Sequence, residues 1–343
     1  MSLIFEATEE NIAKAAERMR NGGLVALPTE TVYGLGADAT NDRAVASIFA
    51  AKGRPSFNPV IVHFRSKEEA AEAVVFNYHA ELLASLFWPG PLTMILPRRA
   101  DTDISKLCSA GLPTLAVRCP SHPVARKLIK ALQKPIAAPS ANASGSLSPT
   151  TPQHVLLSLG GNAGMILAGG KSSVGLESTV VDLTGDVPVL LRPGAVTLED
   201  LQQHLDEILV EFSVTSEKPK SPGQLLKHYA PKTPLRLKAV DVKPGEGLLA
   251  FGSTKFMGVA GDKFGSAAER GGAAKDLLPP EAYQNLSEKG DLEEAAAHLF
   301  GMLHYLDAGG FESIAVMDIP DTGLGVAIND RLRRAAGAQK HSG

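Results

Sequence analysis

Apolar residues recur at helical spacing from Thr8 to Arg20, where Ile12, Ala16 and Met19 share one face. Thr8 can cap that helix, and Glu9 and Glu10 suit its positive end. Asn21-Gly22-Gly23 stops it, because glycine takes the left-handed conformation that a helix end favours. Short apolar runs then predict strands at Leu24–Leu27, Val60–Phe64, Leu115–Val117, Ile136–Ala138, Thr179–Leu183 and Val189–Leu191. Helical stretches at Ala44–Ala51, Lys67–Val75 and Pro123–Ala131 fall between them. Strands and helices in this order predict an α/β layer structure.

The pattern changes after residue 210. Leu198 to Leu209 reads as a closing helix, and Ser213 to Pro234 is polar and rich in Ser, Lys and Pro, as a linker would be. Beyond it, Leu235–Val240, Leu248–Gly252 and Ile314–Ile319 read as strands and Gly325–Ala336 as a helix. Asp291 to Asp307 predicts another helix, with a capping box at Asp291/Glu294 and a stop at Gly309-Gly310. The expected organisation is a first domain over 1–210, a linker over 211–234 and a smaller α/β domain over 235–343.

A length of 343 residues agrees with two domains. Lys+Arg 34 against Asp+Glu 37 leaves a net charge of −3, so no global basic field points to nucleic acid. Cys108 and Cys119 are too few for a disulfide framework and lack zinc-ligand spacing. No apolar run approaches the ~20 residues needed to span a bilayer, and the first residues lack a cationic and then apolar leader. A cytoplasmic, soluble protein is the expectation.

Two familiar signatures fail on inspection. In Gly164 to Ser172 the lysine position of a P-loop holds Gly170. Gly34-Leu-Gly36-Ala-Asp-Ala39 fits a loose dinucleotide fingerprint, but no strand is expected to run into it, so it reads as a glycine turn. His298 and His304 are six apart and do not share a helix face as ligands would.

What remains is a set of polar residues at strand ends. Pro28 to Gly36 closes the first strand with hydroxyls and glycines, where backbone can approach a ligand closely. Lys52-Gly53-Arg54-Pro55 and Asn58-Pro59 lead into the strand that carries His63 on the face of Ile61. Thr114, Ala116 and Arg118 share one face of the next strand, and a charge beside a buried strand needs an anion or carboxylate partner. Ser140, Asn142 and Ser144 follow a strand end, Ser178 enters a strand and Arg192 leaves one. If these ends converge, Lys52, Arg54, Arg118 and Arg192 ring a site suited to a triphosphate, since phosphate charge must be neutralised.

The motifs Lys52-x-Arg54-x-x-x-Asn58-Pro59, Pro139-Ser140-Ala141-Asn142-x-Ser144-Gly145 and Glu177-Ser178-Thr179 together resemble the YrdC-like family. Ser221-Pro222-Gly223 with His228-Tyr229-Ala230-Pro231 resembles its long form, the L-threonylcarbamoyladenylate synthases with an appended C-terminal domain. So does Gly323-Leu324-Gly325-x-Ala327-Ile328-x-x-Arg331-Leu332-x-Arg334-Ala335. One departure is Gln224-Leu225-Leu226, where the family often carries a more basic or aromatic run.

The resemblance implies a YrdC-like twisted mixed-sheet domain and a smaller Rossmann-like α/β domain. It also implies a reaction, in which L-threonine, bicarbonate or CO2 and ATP give threonylcarbamoyl-AMP and pyrophosphate. A separate transferase complex then modifies the tRNA adenosine next to the anticodon, so contact with tRNA itself is expected to be indirect or weak.

Carried over by motif position, Thr31, His63, Arg118, Ser178 and the backbone near Ala138 would hold threonine. Lys52, Arg54, Asn58, Thr114, Ser140, Ser148 and Arg192 would hold ATP, with Tyr229 closing over it and Asn142 and Ser144 shaping the loop. Mg2+ is expected on the phosphates, with no protein carboxylate cage. A competing reading of the same rim is a double-stranded RNA or ribosome-binding protein, with backbone phosphates in place of the triphosphate.

Overall fold

The computed structural model describes residues 3–55, 58–212, 229–255, 258–259 and 273–337. The chain divides into two compact units. The first comprises Met1–Ser144 and Ser148–Leu225; the second comprises Gly145–Leu147 and Leu226–Gly343. Residues 213–228, which include Ser221-Pro222-Gly223, Gln224-Leu225-Leu226 and His228, lie outside the described residues.

The first unit opens with β1 (Ile4–Glu6), α1 (Glu9–Arg20), β2 (Val25–Leu27) and β3 (Gly34–Asp38). Next come α2 (Asp42–Lys52), β4 (Val62–His63), α3 (Lys67–Ala73) and α4 (Tyr78–Phe87). Strands β5 (Leu92–Pro97) and β6 (Thr114–Arg118), helix α5 (Pro123–Leu132) and strand β7 (Ile136–Ala137) follow. The unit is completed by α6 (Pro152–Leu159), β8 (Met165–Ala168), β9 (Thr179–Asp182), β10 (Val189–Arg192), α7 (Leu198–Gln202) and β11 (Leu209–Val210).

These strands form one mixed sheet in the order β1-β8-β2-β3-β7-β4-β6-β5-β9-β10-β11. One face buries Leu35, Val62, Met94, Leu96, Leu115, Val117 and Val181 in the main core. Across β2, β3 and β7 the other face is covered by α1 and α5, through Met19, Leu27, Leu128, Ile129 and Ile136. Further along the same face Ile61, Ile95, Ala116, Val180 and Leu191 form a separate small cluster. His63 and Arg118 follow Ile61 and Ala116 of this cluster on the same face.

Local chemistry explains several elements. Thr8 caps α1 by accepting the Asn11 N–H. The Gly34-Leu35-Gly36 stretch is not a turn but β3 itself, antiparallel to β2. A Cβ on Gly36 would stand 2.8 Å from Leu27 and Met19 and 2.9 Å from Ile136. The glycine therefore serves close packing of α1 on the sheet rather than a bound phosphate. The false P-loop is likewise strand β8, which pairs with β1 and β2 in parallel.

The helix expected over Leu198–Leu209 stops at Gln202, and Leu209 instead forms β11 with Val210, alongside β10. The strand expected over Val60–Phe64 is regular only at Val62–His63, although Phe64 still donates to the Arg118 carbonyl.

In the second unit β12 (Leu235–Arg236), β13 (Asp241–Val242), β14 (Glu246–Ala250), β15 (Gly258–Val259) and α8 (Ala274–Leu277) precede β16 (Tyr283–Asn285). Helix α9 (Leu292–Asp307), strand β17 (Ser313–Val316) and helix α10 (Leu324–Gly337) close it. Its four-stranded sheet, β12-β17-β14-β16, is parallel throughout, and β13 pairs with β15.

The cap of α9 differs from the expected box. Asp291 accepts the Glu293 and Glu294 N–H groups, but the Glu294 carboxylate takes the Ser287 hydroxyl, whose oxygen accepts the Asp291 N–H. A serine thus relays the bond that the box would make directly. No helix among the described residues is long and apolar enough to cross a membrane.

Candidate functional site

Lys52 is the last residue of α2, and Gly53 after it has a φ of 59° that turns the chain back. The Arg54 N–H then bonds the Phe49 carbonyl, so one glycine aims two cations inward from neighbouring positions. Lys52 Nζ donates to the carbonyls of Ser140, at 2.5 Å, and Asn142. The Ser144 N–H returns a bond to the Lys52 carbonyl. Burial, and then the neighbouring Arg54 charge, hold the Lys52 ammonium well below its ordinary pKa. Arg54 Nη2 donates to the Pro59 carbonyl at 2.8 Å. Asn58 is fully buried, and its side-chain oxygen and nitrogen find no hydrogen-bond partner among the described residues. Two orphaned polar atoms in a buried amide point to a ligand.

The β2–β3 loop carries Thr29, Glu30 and Thr31, all buried. Thr29 Oγ1 accepts the Val32 N–H and lies 2.8 Å from Thr31 Oγ1. On the facing strand Arg118 is the last residue of β6 and register partner of His63 on parallel β4. Its fork is spread over three acceptors: Nε to the Gly90 carbonyl (3.1 Å), Nη1 to Thr31 Oγ1 (3.0 Å) and Nη2 to Glu30 Oε1 (2.5 Å). A guanidinium carries five N–H groups, so two remain for a further acceptor.

Burial would raise the Glu30 carboxyl, but the Arg118 charge and hydrogen bond, with backbone N–H groups of Glu30 and Ser121, outweigh it and keep the carboxyl below its usual range. His63 is also buried. Desolvation, reinforced by the Arg118 charge and only partly opposed by Glu30, pushes its imidazole down to about 3, and its Nδ1 has no partner among the described residues.

Beside them, Ser178 Oγ lies 2.7 Å from Thr93 Oγ1. Arg192 donates from Nε to the Ser178 carbonyl (2.9 Å) and from Nη2 to Ser178 Oγ (3.0 Å). This clasp depends on Gly194, where a Cβ would stand 2.4 Å from the Thr179 nitrogen and 2.7 Å from the Glu177 carbonyl. Ser148 donates to Glu177. The Ala138 N–H bonds the Ile61 carbonyl, and Ser140 bridges to Gly34. The strand-end segments thus form two neighbouring groups. Thr31, His63, Arg118 and Ser178 make one, Lys52, Arg54, Asn58, Ser140, Asn142 and Ser144 make the other, and Arg192 joins the first only through Ser178.

Two expected site residues are not members of these groups. Thr114 opens β6 opposite Pro97, four residues from Arg118 on the same face, or about 13 Å at ~3.3 Å per residue. Tyr229 belongs to the second unit, where its buried ring lies 5.8 Å from that of Phe300 and 5.4 Å under the Arg331 guanidinium. Glu30 and Thr93 were missed by sequence reasoning. The demand of a buried arginine for a carboxylate was signal enough for Glu30, whereas Thr93 lies in a strand that was not expected.

Among the described residues no three His, Cys, Asp or Glu side chains gather as a metal cage. Glu30 and Glu177, the carboxylates nearest the site, are engaged by Arg118 and Ser148. Burial raises both cysteine thiols to about 12, so neither is a thiolate nucleophile.

Comparison with known proteins completes the picture. The family model Sua5/YciO/YrdC, described as telomere recombination, matches residues 17–194. The Sua5 C-terminal model, described as the threonylcarbamoyl-AMP synthase C-terminal domain, matches residues 196–337. The chain is 40% identical to threonylcarbamoyl-AMP synthase of Pyrococcus abyssi, over 97% of this chain and 96% of the relative. It is also 40% identical to the Bacillus subtilis protein of that name, over 98% and 95%. Among solved structures, P. abyssi Sua5 complexed with L-threonine aligns at 36% identity and a TM-score of 0.83, covering 98% of this chain and 97% of that one.

Proposed function

The chain belongs to the Sua5/YciO/YrdC family in its two-domain form, and from that premise we propose the division of labour by which it makes threonylcarbamoyl-AMP. It is a nucleotidyltransferase acting on L-threonine, CO2 or bicarbonate, and ATP. The threonine ammonium gives up one proton, and the free amine bonds the carbon of CO2 and loses a second to give the carbamate. An oxygen of the resulting carbamate then attacks the α-phosphorus of ATP, and pyrophosphate leaves.

The observation that carries the residue assignment is the half-used Arg118 fork. Its two remaining N–H groups suit a carboxylate, and Thr31, Ser178 and the unpartnered His63 Nδ1 stand around it. Threonine is therefore placed with its carboxylate on Arg118 and its other polar atoms toward Thr31, His63, Ser178 and the backbone at Ala138. ATP is placed toward Lys52, Arg54, Asn58, Ser140, Ser148 and Arg192, with Asn142 and Ser144 shaping the loop that Lys52 grips. Thr114, further along the same face, would meet a part of ATP remote from the amino acid. Tyr229 keeps its nucleotide role as a carry-over from the motif alone.

No side chain here need form a covalent intermediate. The cations hold negative charge as it shifts onto the departing pyrophosphate, and the fixed positions replace a chance encounter of substrates. Among the described residues no carboxylate cage is gathered for Mg2+, and the ion would enter with ATP as part of that substrate. The product is a reactive mixed anhydride, and a downstream transferase complex would pass its threonylcarbamoyl group to tRNA.

Pyrophosphate release with Mg-ATP tests this reading. Release should require both L-threonine and bicarbonate, with the adenylate identified by mass. Release indifferent to threonine would overturn the assignment of the amino-acid subsite.

A further inference from the structure

We propose that Glu30 is a positioning and selectivity residue of the amino-acid subsite: it aims Arg118 and cancels its charge, so that the subsite takes a zwitterionic α-amino acid in preference to a plain carboxylate. This rests on the reading that Arg118 receives the threonine carboxylate.

Glu30 is clasped on several sides. Its Oε1 accepts Arg118 Nη2 at 2.5 Å, its Oε2 accepts the His122 N–H at 3.4 Å, and its carbonyl accepts the Val174 N–H at 2.8 Å. The carboxylate can therefore set the rotation of the guanidinium, and with it the direction of the two N–H groups left for substrate. Both partners are almost wholly buried, with side-chain exposures of 3% and 7%.

The charge balance follows. Arg118 contributes a positive charge, Glu30 a negative one, and the buried imidazole of His63 none. Arg192 also donates to Ser178 Oγ, at 3.0 Å, and its charge is the one assigned to the ATP phosphates. A zwitterion added to a neutral, desolvated pair leaves it neutral. A monoanion leaves one negative charge in a place where uncompensated charge is expensive.

The test is calorimetric titration of the full chain, without ATP, using L-threonine and (R)-β-hydroxybutyrate, which is threonine without its ammonium. The parent protein should bind threonine far more tightly. Glu30→Gln keeps the shape and removes the charge, so the preference for threonine should shrink by about tenfold or more. Glu30→Asp keeps the charge and withdraws the carboxylate, so threonine affinity should fall by about tenfold while the preference holds.

ATP affinity and circular dichroism report whether each variant is folded, and a merely structural lesion would weaken both ligands alike without altering their ratio. An unchanged ratio in Glu30→Gln, or unchanged threonine affinity in Glu30→Asp, overturns the proposal. Arg118→Met separates the two readings. If it leaves threonine affinity intact, the subsite assignment itself is wrong and the proposal falls with it. If it abolishes threonine binding while Glu30→Gln keeps the parent ratio, the assignment stands and only the role of Glu30 is lost.

Discussion

His63 and Arg118 occupy register-paired positions on two adjacent parallel strands, so a buried imidazole stands beside a buried guanidinium. That pairing has a pH signature. The unfolded imidazole takes a proton below about 6.5, while the folded one waits until about 3. Between those values the unfolded state binds more protons, so stability rises with pH across the window and is lost as pH falls through it. Replacing His63 with Gln should make the acid loss shallower by roughly 3 kcal/mol over pH 6.5 to 3. Chemical denaturation of both proteins at a series of pH values measures it, and parallel curves would contradict the neutral, buried state of His63.

Lys52 grips two carbonyls of the loop that carries Ser140, Asn142 and Ser144. Lys52→Met should leave both acceptors buried and unsatisfied, lowering stability by about 3 kcal/mol. ATP affinity should fall by at least about tenfold, with threonine affinity altered much less. Thermal melting and separate titrations of the two substrates decide this. Loss of threonine binding with ATP binding intact would reverse the assignment of Lys52.

Gly36 faces Leu27, Met19 and Ile136 at distances that leave no room for a methyl group. Gly36→Ala should destabilise the first unit by about 1–3 kcal/mol through the displacement of α1. A melting temperature equal to that of the parent would show that α1 and the sheet accept the methyl group without displacement.

In the second unit Glu246 accepts from both Arg236 Nε and Nη2, from Ser313 and from the Lys243 N–H. Burial opposes ionisation, but these bonds, led by that with Arg236, bring the carboxyl down to about 2. Its stabilisation is present above the ordinary carboxylate value near 4.5 and is lost as pH falls from there toward 2. Glu246→Gln should cost about 2 kcal/mol at neutral pH and flatten the acid limb of second-unit unfolding. Acid titration of the unfolding transition would show an unaltered limb if the pair contributes nothing.

Much of this was legible in the chain because it rests on local chemistry. Thr8 caps its helix, and alternation puts His63 on the face of Ile61 and Arg118 on that of Ala116. The readings that failed depend on partners distant in sequence. Gly34 and Gly36 resemble a turn until Ala138 is brought against the first and Met19 and Ile136 against the second. Gly164 to Ser172, already rejected as a phosphate loop because Gly170 holds the lysine position, supplies β8 for pairing with β1 and β2. Leu209 ends in a strand rather than a helix because the edge of β10 offers it hydrogen bonds. Arg118 announced its need of a carboxylate, but not that the loop before β3 supplies one from 88 positions away.

Gly145–Leu147 groups with the second unit although the residues on either side belong to the first. Ser146 bridges to Ala230, and the Ala230 N–H bonds the Gly145 carbonyl. On the ribosome those three residues emerge well before their partner exists. At ~5–20 residues per second the interval from Gly145 to Ala230 is on the order of ten seconds. The nascent first unit therefore spends that time with the segment between Ser144 and Ser148 unpinned, and a gene cut after residue 210 would make the delay permanent.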